Sequence, residues 1–177
     1  MRSDRKGKAG EREVCKMLME WWTPYYPGAV FVKTPGSGGW GGGSRFHQKV
    51  KSNMRASGDV MTTLEEFPFS VEVKREQSWS MQRLLDGRPS PIWRFWIQAQ
   101  TQATKDDLIP MLWFRRNREP WHVLLPFEYA KAFPLPPPEQ AWSRAALLGV
   151  DHGGLLPVMY AAESLVQVPP TVFVEDQ

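Results

Sequence analysis

Across residues 4–22 the apolar positions repeat with a helical period. Val14, Cys15, Leu18 and Trp22 fall on one stripe that also carries Glu11, while Arg12, Glu13, Lys16 and Glu20 lie on the other side. The pattern predicts an amphipathic helix, with Ser3 or Asp4 as N-cap and Pro24 and Pro27 ending it. Residues 29–34 then read as a short strand, and residues 36–57 as an insertion whose glycine-rich start cannot hold one conformation unaided. Apolar alternation resumes at 58–64 and 69–75, which read as the two strands of a hairpin turned by Glu65, Glu66 and Pro68. A short helix is expected over 80–86, a longer one over 92–107, and a second hairpin from 111–115 and 121–125. Beyond it, 134–138 reads as a stiff linker, 139–148 as a helix and 157–174 as an apolar tail. The order α-β-β-β-α-β-β predicts an α/β domain over 1–125, a mixed sheet flanked by helices. Residues 126–177 would form a C-terminal extension, used for dimerisation or packing.

Composition narrows the class. Hydrophobic residues make up 42% of the chain, which excludes a disordered protein. No apolar run reaches the eighteen or so residues of a membrane span, so no membrane partner is expected. Cys15 is the single cysteine and reads as a packed thiol in a reducing compartment, so an intracellular protein is expected. Nine tryptophans are many, and some are expected on a partner-facing surface. Scattered histidines (His47, His122, His152) and the lack of a second cysteine argue against a zinc site. The run 36–44 lacks the Gly-Lys-Ser/Thr ending of a phosphate-binding P-loop. Charge is uneven: basic residues dominate the first third and acidic ones the last, suggesting that one face meets a polyanion.

The chemistry-bearing segment is Gly58-Asp59 followed by Val71-Glu72-Val73-Lys74. Side chains alternate along a strand, so Val71 and Val73 turn to a core while Glu72 and Lys74 share the other face. Pairing of the two strands would let Asp59 approach Glu72. Two convergent carboxylates suit a hard divalent ion, Mg²⁺ or Mn²⁺, and a lysine beside two acids stays protonated and offsets transition-state charge. Glu11, an acid on an apolar stripe, needs a cation or hydrogen bonds of its own.

Helical Arg5-Lys-Gly-Lys-Ala-Gly-Glu-Arg-Glu13, strand Val30-Phe-Val-Lys-Thr-Pro-Gly-Ser37, Gly58-Asp59-Val60 and Val71-Glu-Val-Lys74 together resemble the archaeal-type Holliday junction resolvases of the PD-(D/E)xK nuclease superfamily, in a phage or bacterial form. The resemblance implies a restriction-endonuclease-like fold and Mg²⁺-dependent cleavage of four-way DNA junctions by a homodimer, with Mn²⁺ as a substitute ion. It implies Glu11, Asp59 and Glu72 as metal-site acids, Lys74 as the active-site lysine, and Arg12 near the scissile phosphate. Lys33 stands where the family usually has arginine, a departure because lysine cannot grip phosphate in a bidentate fashion. Residues 37–58 are a longer connection than the family's, and this basic arm could follow bent DNA, with Trp40 stacking on an unpaired base. The expected DNA contacts are Arg5, Lys6, Lys8, Arg12, Lys33, Arg45, Lys49, Lys51 and Arg55. Residues 93–103, 110–117 and 121–125 look like the second half of phage and bacterial nucleases of the superfamily, which makes Gln98 a candidate for orienting a ligand at the site. Two other readings stay open: a nuclease of the superfamily acting on duplex, flaps or ends, and a non-catalytic DNA-binding protein of the same fold.

Overall fold

The computed structural model describes residues 2–35 and 54–174, with side chains from Gly7 onward. The predicted arm lies largely outside the described residues, including Trp40, Arg45, Lys49 and Lys51, as do the side chains of Arg5 and Lys6.

Helix α1 (Arg2–Trp22) buries the predicted stripe of Glu11, Val14, Cys15, Leu18 and Trp22. Strands β1 (Phe31–Lys33), β2 (Arg55–Ser57) and β3 (Val60–Thr62) form a small antiparallel sheet with β3 in the middle. The main sheet starts with β4 (Phe69–Arg75), followed by the short helix α2 (Met81–Leu85) and by α3 (Pro91–Asp106). Ser90 caps α3 by accepting from Ile92 N, and Asp107 closes it in the left-handed conformation. Strand β5 (Ile109–Arg115) runs parallel to β4, and β6 (His122–Pro126) runs antiparallel to β5 as the predicted hairpin.

Both faces of this sheet are buried, and its pleat sorts the side chains. Val71, Val73, Met111, Trp113, Val123 and Leu125 enter the core on the α1 side, while Leu112, Phe114 and Leu124 join Ile92, Trp96 and Ala99 of α3 on the other. The main sheet thus separates two hydrophobic layers, with helices outside each: the mixed sheet flanked by helices of a restriction-endonuclease-like fold.

Several expectations change. Segments 58–64 and 69–75 are not a hairpin: β3 pairs with β1 and β2, and β4 pairs with β5. The connection between them contains no glycine or asparagine for a tight turn, and its Leu64 and Phe67 are buried in the core, so the chain passes through to a second sheet instead of doubling back.

Residues 139–148 are not a helix. Helix α4 (Phe127–Ala132) leads to β7 (Gln140–Ala141), which pairs with β8 (Pro157–Ala161). Glu139 N donates to Met159 O at 2.8 Å, and Trp142 is buried with its Nε1 donating to Leu84 O at 3.1 Å. These long-range partners outweigh local helix propensity.

The last fifty or so residues are not an appendage. The expected boundary at 125 falls inside β6, whose whole length pairs with β8. Helix α5 (Ala162–Leu165) and the 3₁₀ turn Pro170–Phe173 place Leu165 and Phe173 in the same core as Trp21 and Trp22, and Trp21 Nε1 donates to Val168 O at 2.7 Å. The apolar residues of 134–174 expected to serve a dimer interface are thus largely consumed within the chain. The tryptophans follow the same rule: all eight among the described residues are buried, none on a partner-facing surface.

Candidate active site

The site is assembled at the outer edge of β4. Gly58 sits at φ +67° so close to β4 that a Cβ would lie 2.3 Å from Val71 O. Only glycine tolerates both the left-handed backbone and that approach. The contact locks the next residue: Asp59 N donates to Val71 O at 2.7 Å, Thr34 N donates to Asp59 O at 2.8 Å, and Asp59 Oδ2 accepts from Val73 N at 2.9 Å. Asp59 therefore reaches the Glu72 segment through a parallel bridge from Gly58 to Val71, not through hairpin pairing. Its carboxylate caps a β4 amide that no strand satisfies on that side.

Glu72 and Lys74 share the face of β4 turned to α3, as alternation requires. Lys74 Nζ donates to Glu72 Oε1 and lies 5.4 Å from the centroid of the Phe95 ring. From α3, Gln98 Nε2 donates to the same Glu72 oxygen at 2.6 Å. Gln102, one turn on, instead bonds Asp106. On the α1 side, buried Glu11 is paired with Lys33, whose Nζ stands 3.8 Å from Glu11 Oε2.

Electrostatics ties these groups together. Burial, then the charge of Asp59, push the Glu72 carboxyl up to about 7; Lys74 opposes this and Glu11 adds to it. The Cys15 thiol, one turn beyond Glu11, is pushed up to about 12 by burial and by Glu11 and Asp59, with Lys33 opposing. This cysteine is a packed, protonated thiol. Glu11, Lys33, Asp59, Glu72, Lys74 and Gln98, which span 88 positions of sequence, thus meet around one strand edge.

The donor chemistry fits a hard divalent ion. Asp59 and Glu11 raise the proton affinity of buried Glu72, the mark of negative charge crowded at one place, and oxygen ligands suit Mg²⁺. As they stand, no three His, Cys, Asp or Glu side chains among the described residues form a group ready to hold a metal, and Lys74 and Gln98 both rest on Glu72 Oε1.

Arg12 is exposed on α1 and Lys8 half-buried. Arg55 donates to Glu65 O at 3.2 Å and Phe67 O at 2.5 Å, so its guanidinium braces the connection between the sheets. Two features escaped sequence reading. Phe95 is the aromatic surface beside Lys74, hidden in the sequence as one more apolar position of α3. Ser57 Oγ lies 2.7 Å from both Ser70 Oγ and Asp106 Oδ2, joining β2, β4 and the end of α3 beside Gly58. Nothing in the spacing of these three residues signals their meeting.

Residues 2–135 match the model of a family described as "Phage putative PDDEXK endonuclease". No curated protein matches the chain. No solved structure matches it either. The matched span begins with α1 and includes Glu11, Asp59, Glu72, Lys74 and Gln98, so the residues gathered at the edge of β4 and the family assignment point the same way. The chain belongs to the phage PD-(D/E)xK endonuclease family.

Proposed function

We propose that this nuclease is a Mg²⁺-dependent DNA endonuclease that cuts four-way junctions, with Asp59, Glu72 and Lys74 carrying the reaction. The observation that carries the catalytic part is the meeting of Asp59, Glu72 and Lys74 at the edge of β4, with Gln98 bonded to Glu72. Asp59 and Glu72, with Glu11 behind them, would hold the ion, and Mn²⁺ would substitute for it. When bound, the ion supplies Lewis-acid polarisation of the scissile phosphate and lowers the pKa of attacking water. Lys74, which reaches into the site beside Glu72, stabilises the negative charge that builds on the phosphorus oxygens. Gln98, bonded to Glu72, would hold that carboxylate in one orientation as a ligand of the ion. Arg12 and Lys33 follow as phosphate contacts, and the basic first third supplies affinity without sequence readout.

Junction selectivity is supported by the resemblance of residues 5–75 to the resolvases. Two symmetric cuts call for a homodimer with two active sites. A labelled four-way junction and its component duplexes, each with and without Mg²⁺, test the proposal. Asp59→Asn and Glu72→Gln should each abolish cutting while junction affinity stays within a few-fold of the parent. Undiminished turnover in both variants refutes the catalytic assignment, and equal cutting of junction and duplex under competitor DNA refutes the junction preference.

A further inference from the structure

We infer that Arg94, together with the cleft beyond it, binds the phosphodiester backbone of the strand being cut, an inference that rests on the nuclease reading above. Arg94 lies one helical turn before Gln98 on α3, so the two side chains leave neighbouring positions of the same face. Gln98 touches the candidate active site directly. The Arg94 guanidinium lies 5.3 Å from the centroid of the Phe95 ring, the ring that Lys74 Nζ approaches at 5.4 Å. Two cations therefore share one aromatic side chain and are separated by no more than the sum of those distances. That is comparable with the Debye length of about 10 Å at 0.1 M salt, so their repulsion is incompletely screened.

Lys74 is compensated by Glu72, whereas Arg94 is exposed and has no ion pair among the described residues. Glu76, the residue just beyond β4, turns its carboxylate to the backbone N–H groups of Gln77 and Ser78. A guanidinium held beside a catalytic lysine, with no protein anion on it, is the arrangement that grips a phosphate oxygen pair.

The surface continues past Arg94. The start of α3 (Ser90, Pro91) lines a cleft opposite Gln77–Ser80, with Arg83 on its wall. Arg83 is exposed, and among the described residues its guanidinium makes one long hydrogen bond, to Pro89 O at 3.5 Å. Hydroxyls, an amide and an arginine over an apolar wall of Trp79, Pro89 and Pro91 suit a sugar–phosphate chain. The track from Lys74 through Arg94 to Arg83 would hold the phosphates on one side of the scissile bond. Arg94 is thus a substrate-binding residue, separate from the groups at the reacting phosphate.

The test uses the full chain and a fluorescein-labelled four-way junction, with its duplex arm as a second probe. Affinity is measured by anisotropy in EDTA across a salt series, and cleavage is measured with Mg²⁺. Arg94→Ala should weaken binding about tenfold at low salt and lower the slope of log affinity against log salt by about one. Its KM should rise more than its kcat falls. Arg94→Lys should restore the salt slope but only part of the affinity, because lysine keeps the charge and not the two-pronged grip, and Arg83→Ala should give a smaller loss of the same kind. Lys131→Ala, which removes an equal charge from α4, is the control and should do neither. If the parent cuts DNA while Arg94→Ala matches Lys131→Ala in affinity and salt slope, the inference fails and the nuclease reading survives. A parent chain that neither binds nor cuts these DNAs overturns both.

Discussion

Replacing Gly58 with alanine would put a methyl carbon where the carbonyl of Val71 already stands. The Cβ would lie 2.3 Å from Val71 O and 2.9 Å from Val71 C. Non-bonded carbon contacts are optimal near 3.5 Å, so the two backbones must part by roughly 1 Å. A side chain in the left-handed region at φ +67° adds about 1–2 kcal/mol. Separation also weakens the Asp59 N to Val71 O hydrogen bond, a buried bond whose loss costs about 1–3 kcal/mol. The expected destabilisation is about 3 kcal/mol, which for a chain of this size lowers Tm by roughly 6–12 °C.

The effect on cutting should be larger than on stability. Asp59 is held to β4 through Val71 O and Val73 N, and a misplacement of about 1 Å at a reacting centre can cost about a hundredfold in rate. Calorimetry and single-turnover cleavage, run well below the variant's Tm, separate the two effects. An unchanged Tm refutes the steric argument. A lowered Tm with the cleavage rate within about twofold of the parent shows that Asp59 does not need this seat.

Other expectations are simpler to state. In metal-free buffer Glu72 has an ordinary value of 4.5 when unfolded and about 7 when folded, so the folded chain holds more protons between those limits. Stability should therefore fall as pH rises through that window, by at most about 3 kcal/mol, and Glu72→Gln should flatten the dependence in denaturant titrations. Gln98→Ala should lower the cleavage rate about tenfold through loss of the bond to Glu72, and Gln98→Glu should lower it further by adding a like charge; a rate equal to the parent's in both counts against Gln98 as a positioning group. A chain ending at residue 125 should show no cooperative melt by circular dichroism, because β6 loses β8 and the core loses Tyr160, Leu165 and Phe173. A cooperative transition near that of the full chain would restore the idea of a separable extension.

Local patterns made much of this protein legible in one dimension. The stripe on α1, the alternation in β4 that turns Val71 and Val73 to one face and Glu72 and Lys74 to the other, and the helix bearing Gln98 are periodic features, and period follows from backbone geometry alone. The acids and the lysine of the candidate site were readable for the same reason, since Gly-Asp and Glu-x-Lys are short patterns on predictable strands. What periodicity does not encode is which strand lies beside which. Only the tertiary structure moved β3 away from β4, brought Asp59 to β4 through the close approach of Gly58, and drew β7 and β8 into the main sheet in place of an expected helix and tail. Those choices depend on burying Leu64, Phe67, Trp142 and Phe173 in shared layers and on satisfying strand amides from distant segments, terms that no local window of sequence contains.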